Sequence, residues 1–149
     1  MSKLRCHISI SAGGFVAGPN QSEENPLGEG GERLHDWAVS LAAWRGSHGK
    51  QGGEVNESTP IMEETLENVG DGVMGRNMFG LVGGGDWRDE HQQYLAAGLL
   101  DELELHIVPV LLGDGARLFD SLGGAEIELG QVRAVKAPGV TYLKYRVMT

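Results

Sequence analysis

The sequence predicts an α/β domain on a mixed sheet, and three observations carry that expectation. Residues 4–11, 103–112, 127–135 and 140–147 alternate in character or are rich in β-branched side chains, as strands are. Residues 32–45 and 58–69 place their apolar side chains three and four apart, as amphipathic helices do. The two kinds of segment interleave until the chain ends in a hairpin, a pattern that calls for helices packed on a sheet.

The first strand, 4–11, runs into Ala12-Gly13-Gly14-Phe15-Val16-Ala17-Gly18-Pro19-Asn20, where glycine and proline predict a loop. Residues 21–31, with Pro26 and several glutamates, extend it as an exposed loop. Leu34, Trp37, Ala38, Leu41, Ala42 and Trp44 then define one amphipathic helix to about Arg45, followed by a glycine-rich loop over 46–53. Ser58-Thr59-Pro60 marks the next helix start, with a hydroxyl at the cap and proline in the first turn, and Gly70 stops it. A short strand over 73–76 ends in a turn, 80–86 is a glycine-rich stretch, and 86–97 reads as a helix ending at Gly98. The strand over 103–112 contains Pro109, which predicts an edge, bend or bulge. Ala137-Pro138-Gly139 is the turn of the terminal hairpin. No internal repeat or second domain is visible, so 1–149 reads as one domain.

Composition narrows the function. The chain is 40% hydrophobic and 22% charged, with 24 glycines in 149 residues, about twice the usual share. A net charge of -9 repels polyanions, so nucleic acid is not an expected partner. The single cysteine, Cys6, cannot form an intrachain disulfide and sits in an apolar strand pattern, as a buried thiol would. No apolar run reaches the roughly 18 residues of a membrane span, and no signal-like segment opens the chain. A cytoplasmic protein is the expectation.

Several chemistries lack their residues. The five histidines form no HxxxH or HxH pair, so no metal site is expected. His7 and His106 read as polar strand positions facing solvent or a neighbouring strand. There is no GxSxG elbow and no GxxxxGK loop. The paired acids Glu63-Glu64 and Asp101-Glu102 read as solvated or capping charges. Two glycine features remain. Gly75-Arg76-Asn77 follows a short strand and reads either as a plain turn or as a phosphate-holding one. Gly83-Gly84-Gly85 reads either as a hinge or as a place where backbone amides approach a diphosphate. Asp86 beside it counts against an anion.

Three tracts together resemble a known family. They are Ile8 through Asn20, Val73-Met74-Gly75-Arg76-Asn77-Met78-Phe79, and Tyr94 through Leu103 continuing by Pro109-Val110-Leu111-Leu112-Gly113 to Arg117-Leu118-Phe119. They resemble the dihydrofolate-reductase-like family of the riboflavin-biosynthesis reductase C-terminal type. The resemblance implies a three-layer α/β fold with a mixed, mostly parallel sheet, usually dimeric, that binds NADPH and reduces a flat heterocycle. It implies that Ala17, Gly75, Arg76, Asn77, Gly83, Gly84 and Gly85 meet the cofactor, and that Phe15 and Val16 flank the substrate; Trp37 is expected beside them as a substrate-binding residue. Against the family pattern, position 13 is glycine where an aspartate is usual. The chain is also shortened between about residues 79 and 92, by on the order of 30 residues or more. Gly83-Gly84-Gly85 therefore stands either for the family's diphosphate glycines or for the start of its tryptophan-bearing loop, with Trp87 as remnant.

Three functions follow as expectations. One is an NADPH-dependent reductase of a pterin- or pyrimidine-like substrate. A second is a repurposed scaffold that binds a small aromatic ligand or has a non-redox activity without NADPH. In it Phe15, Trp37 and Trp44 line a pocket, unless they simply pack the core. The third is a homodimer, strand-exchanged to cover exposed sheet edges, with no activity implied. No proton donor stands out. Glu32, His35 and Asp36 lie near where one would act, and also read as ordinary surface residues.

Overall fold

The structure is a computed structural model that describes residues 2–67, 69–70, 98–120, 122, 124 and 126–148. The expected strand at 73–76 and helix at 86–97 lie outside the described residues, as do Gly75, Arg76, Asn77, Gly83, Gly84, Gly85 and Trp87.

Four strands form the main sheet, in the order β1-β3-β6-β5. They are β1 (Arg5–Ser11), β3 (Glu102–Val108), β6 (Val140–Val147) and β5 (Leu129–Ala137). β1 and β3 run parallel, with His7 opposite Glu104, and β3–β6 and β6–β5 are antiparallel. The sheet is mixed as expected. Within this sheet one described pairing is parallel and two are antiparallel, and the two-residue connection from β5 to β6 permits only an antiparallel pair there. Pro109 ends β3 at Val108, as its missing N–H requires.

The hairpin turn is set by Pro138 and Gly139. Proline fixes a negative φ, and Gly139 supplies φ 74, the pairing a type II turn needs. A Cβ at Gly139 would meet Trp37 at an ordinary 3.7 Å, so only backbone strain opposes it. Gly139→Ala is therefore expected to destabilise by about 1 kcal/mol, read as a lower urea midpoint with an unchanged slope. An unchanged midpoint would refute the assignment of that turn.

Three expectations are corrected. The loop after β1 contains a short strand, β2 (Phe15–Ala17), which pairs antiparallel with β4 (Ala116–Arg117). The pairing is possible because Gly115 lets the chains close up: a Cβ there would stand 2.0 Å from the Ala17 carbonyl oxygen. The helix expected over 32–45 is three pieces: a 3-10 turn at Gly31–Leu34, α1 (Asp36–Val39) and α2 (Ala42–Ser47). The break falls at Leu41, which is extended, fully buried and bridged to Glu54. Ala42 N–H donates to the Glu54 carbonyl and Glu54 N–H to that of Ser40, so non-local pairing displaces helical bonds there.

The third correction concerns α3 (Ser58–Leu66), which ends before Gly70. Ser58 does not cap it. The Asn56 side chain accepts from Ser58 N–H at 2.8 Å, while the Ser58 hydroxyl turns inward.

Strand alternation divides the sheet into two faces. On one, Ile8, Ile10, Leu105 and Ile107 pack with Val16, Ala17, Ala116 and Leu118, and Cys6 and Leu103 pack with Leu100 and Val147. Burial pushes the Cys6 thiol up to about 11, so the apolar-thiol reading holds. On the other face, α1 and α3 bring Trp37 and Ile61 against Val135, Ala137, Val140 and Tyr142. The functional groups lie on this second face.

Candidate functional site

Alternation on β3 sends Glu104 and His106 to the helix-covered face, and the parallel register sets His7 of β1 directly across from Glu104. Glu104 is 1% exposed and His106 8%. Glu104 Oε1 lies 3.0 Å from His106 Nε2 and 3.3 Å from His7 Nδ1. Its other oxygen accepts from Arg133 Nη2 at 2.8 Å. A carboxylate buried this deeply needs such partners, since leaving an ion unpaired in low dielectric is costly.

The network continues into α3. Arg133 Nη1 donates to Glu64 Oε2 at 2.7 Å, and Lys144 Nζ donates to Glu64 Oε1 at 3.1 Å. Arg133 thus clamps two carboxylates, one from the sheet and one from the helix. Its Nε is buried and has no hydrogen-bond partner among the described residues. Glu63 is exposed, in keeping with a solvated charge, whereas Glu64, Glu102 and Asp101 each hold a partner. Glu102 binds Lys3 at 3.0 Å, and Asp101 accepts from Leu4 N–H at 2.8 Å.

Aromatic side chains roof the cluster. The Trp37 ring stands edge-on to His106 at 5.3 Å and to Tyr142 at 5.5 Å, and its indole N–H donates to the Leu34 carbonyl. His106 and Tyr142 are 4.9 Å apart. Tyr142 is fully buried, and its hydroxyl donates to Ser58 Oγ at 2.7 Å.

Burial and neighbours set the charges. For Glu104, burial raises the carboxyl pKa, but hydrogen bonds from His106, His7 and Arg133 outweigh it and hold the group far below its ordinary range. Burial lowers the His35 pKa, with Asp36 opposing and His106 reinforcing the shift. Burial raises the Tyr142 hydroxyl to about 12, despite the bond to Ser58. At neutral pH the cluster is an ionised carboxylate between imidazoles, beneath a neutral phenol.

The sequence-derived site residues are dispersed by comparison. Phe15, Val16 and Ala17 are buried at 7%, 2% and 0% exposure, and Val16 and Ala17 pack on the apolar face. Trp37 lies on the opposite face, over His106. The set proposed for substrate is thus divided by the sheet. Arg117 lies over the Phe15 ring at 4.6 Å. Trp44 neither packs the core nor joins these residues; it is half-buried and stacks on His48 at 3.9 Å. Glu32 and Asp36 are exposed.

Among known proteins, residues 82–141 match the RibD C-terminal domain family. A protein of Shewanella sp. PV-4 described as a riboflavin biosynthesis protein superposes over 100% of both chains, with a TM-score of 0.52 at 18% identity. The fold is dihydrofolate-reductase-like. Acinetobacter baumannii RibD aligns with 39% of this chain and 17% of its own, at 17% identity and a TM-score of 0.34. A pyrimidine reductase-like protein of Corynebacterium diphtheriae aligns with 42% of this chain and 27% of its own, at 23% identity and a TM-score of 0.38. The chain therefore spans far less than two thirds of either of these two proteins. No curated protein matches the chain.

In this dihydrofolate-reductase-like fold, the parallel strands β1 and β3 end side by side. Ala12 N–H donates to the Val108 and Val110 carbonyls there. Crevices at the carboxyl ends of parallel strands are the usual ligand sites of α/β sheets. No described helix is long and apolar enough to cross a membrane.

The Glu104 cluster was not anticipated. Its signal in the sequence is Glu102-x-Glu104-x-His106, three polar groups alternating with Leu103, Leu105 and Ile107 along one strand. The third member of the cluster, His7, becomes a neighbour only through the pairing of β1 with β3.

Proposed function

We propose that the chain is an NADPH-dependent reductase of a small heterocyclic substrate, pterin- or pyrimidine-like, acting in the cytoplasm as a homodimer. The observation that supports this reading is the family match over residues 82–141, a tract that contains Gly83, Gly84, Gly85 and the whole of β3. The cofactor itself would carry the hydride, and the protein would supply position and electrostatics. Of the residues assigned to the cofactor, Ala17 alone is described. It is fully buried, with its carbonyl closed off by Gly115. Ala17 therefore offers no surface to a dinucleotide in this arrangement, and the cofactor reading leans on the family match instead.

The test is a titration of the full chain with NADPH, followed by cofactor fluorescence. Saturable binding, with oxidation of NADPH in the presence of an aminopyrimidine or pterin, is the expected result. Absence of binding at about millimolar cofactor, the weak end of the usual range for substrates, would overturn the proposal. Strand exchange would make the homodimer's melting temperature depend on protein concentration. A second reading, an aromatic-ligand binder without NADPH, is favoured by the half-buried Trp37 beside His106. Quenching of tryptophan emission by such a ligand in cofactor-free protein would mark it.

A further inference from the structure

We propose that His7, Glu104 and His106 form a binding site for a divalent transition-metal ion of the zinc class. Nδ1 of His7, Nε2 of His106 and a carboxylate oxygen of Glu104 all lie within 4.8 Å of one another. The Glu104 oxygen is 3.0 Å from one imidazole nitrogen and 3.3 Å from the other. Donors held about 2.0–2.2 Å from a tetrahedral ion stand roughly 3.3–3.6 Å apart. Small adjustments of the two rings would therefore admit the ion.

The backbone fixes these donors in advance. His7 faces Glu104 across the parallel β1–β3 pair, and Glu104 and His106 are alternate residues of one strand. No loop has to close. Arg133 holds the far oxygen of Glu104 at 2.8 Å, which leaves the near oxygen as a single ligand. An outer hydrogen bond of this kind orients a metal-binding carboxylate.

The surrounding charges do not oppose a cation. Glu64, Glu102 and Glu104 are joined to Arg133, Lys144 and the exposed Lys3, and these fixed charges cancel. Two imidazoles and one carboxylate suit zinc and its neighbours, whereas magnesium and calcium prefer oxygen donors. Three protein ligands leave a fourth position free, as in zinc sites that hold water or substrate. The open side is that of His7, whose side chain is 18% exposed against 10% for His106 and 1% for Glu104.

The experiment uses the full chain after EDTA treatment and dialysis. Zinc is added in a calorimeter, and cobalt is added in parallel as a visible-absorption probe. One equivalent of zinc is expected to bind, with no heat from magnesium, and cobalt is expected to give a four- or five-coordinate spectrum. His7→Gln and Glu104→Gln are each expected to weaken zinc at least about tenfold. The exposed His48, stacked on Trp44 away from the cluster, serves as the control, and His48→Gln should bind as the parent does. The proposal is overturned by three results: no saturable zinc binding, His7→Gln binding as tightly as the parent, or His48→Gln abolishing the site. Because His7 is partly exposed, its variant is expected to keep the parent's circular dichroism, and the cobalt spectrum reports imidazole ligation independently of stability.

Discussion

Glu104→Ala is expected to destabilise the metal-free protein by about 3 kcal/mol. The loss comes from what the substitution leaves behind. Arg133 keeps Glu64 but loses one of its two carboxylates, and His7 and His106 lose their shared acceptor beneath Trp37. A volume once filled by a side chain with 1% exposure is emptied as well. Urea unfolding of EDTA-treated protein measures the change. A loss under about 1 kcal/mol, the level of an exposed ion pair, would mean that water reaches the cluster and that the carboxylate is not the hub described.

The same carboxylate sets an acid limit. Its folded-state pKa is held below the ordinary 4.5, so the folded chain binds that proton less readily than the unfolded chain. The stabilisation is complete above about pH 5 and declines as pH falls toward the folded value, at no more than about 1.4 kcal/mol per pH unit. Glu104→Gln removes the titrating group. Its urea midpoint is expected to depend less on pH below about 4.5, the ordinary value of the group. Parallel profiles for parent and variant would assign the acid sensitivity to other carboxylates. Glu64 and Glu102 are the nearest, both held down by cationic partners against the effect of burial.

Which parts of this arrangement were legible in the sequence follows from the range of the interactions. The strands at 5–11 and 102–108 and the terminal hairpin were readable because alternation, Pro109 and Pro138-Gly139 act within a few residues. The broken helix was not, because Leu41 is held by Glu54, whose pairing no periodicity records. Ser58, just before Thr59 and Pro60, stands where the local sequence predicts a cap. Its hydroxyl instead meets Tyr142, 84 residues away. The Glu104 cluster failed to register for the same reason. Each histidine, viewed alone, is an ordinary polar strand residue, and the cluster exists only once β1 lies parallel to β3 and β5 brings in Arg133. Phe15, Val16 and Trp37 are expected at one substrate site, and the sheet separates Val16 from Trp37 because alternation sends their contacts to opposite faces.

Tyr142→Ala is expected to cost about 3–5 kcal/mol, the largest effect of any substitution considered. The side chain has 0% exposure and lies where the helix layer meets the sheet. Removing it takes away the ring that Trp37 and His106 meet edge-on, each such aromatic contact contributing about 0.5–1.5 kcal/mol beyond burial. It also strips the Ser58 hydroxyl, itself 1% exposed, of its donor. Tyr142→Phe separates these parts, since it keeps the ring and loses only the hydroxyl, for about 1 kcal/mol. Ser58→Ala combined with Tyr142→Phe is then expected to cost less than the sum of the single changes, because no buried hydroxyl remains without its partner. Urea unfolding of the four proteins closes the cycle. Strict additivity would mean that the 2.7 Å bond does not couple α3 to β6, and that apolar packing of Ile61 against Val140 and Tyr142 alone seats the helix.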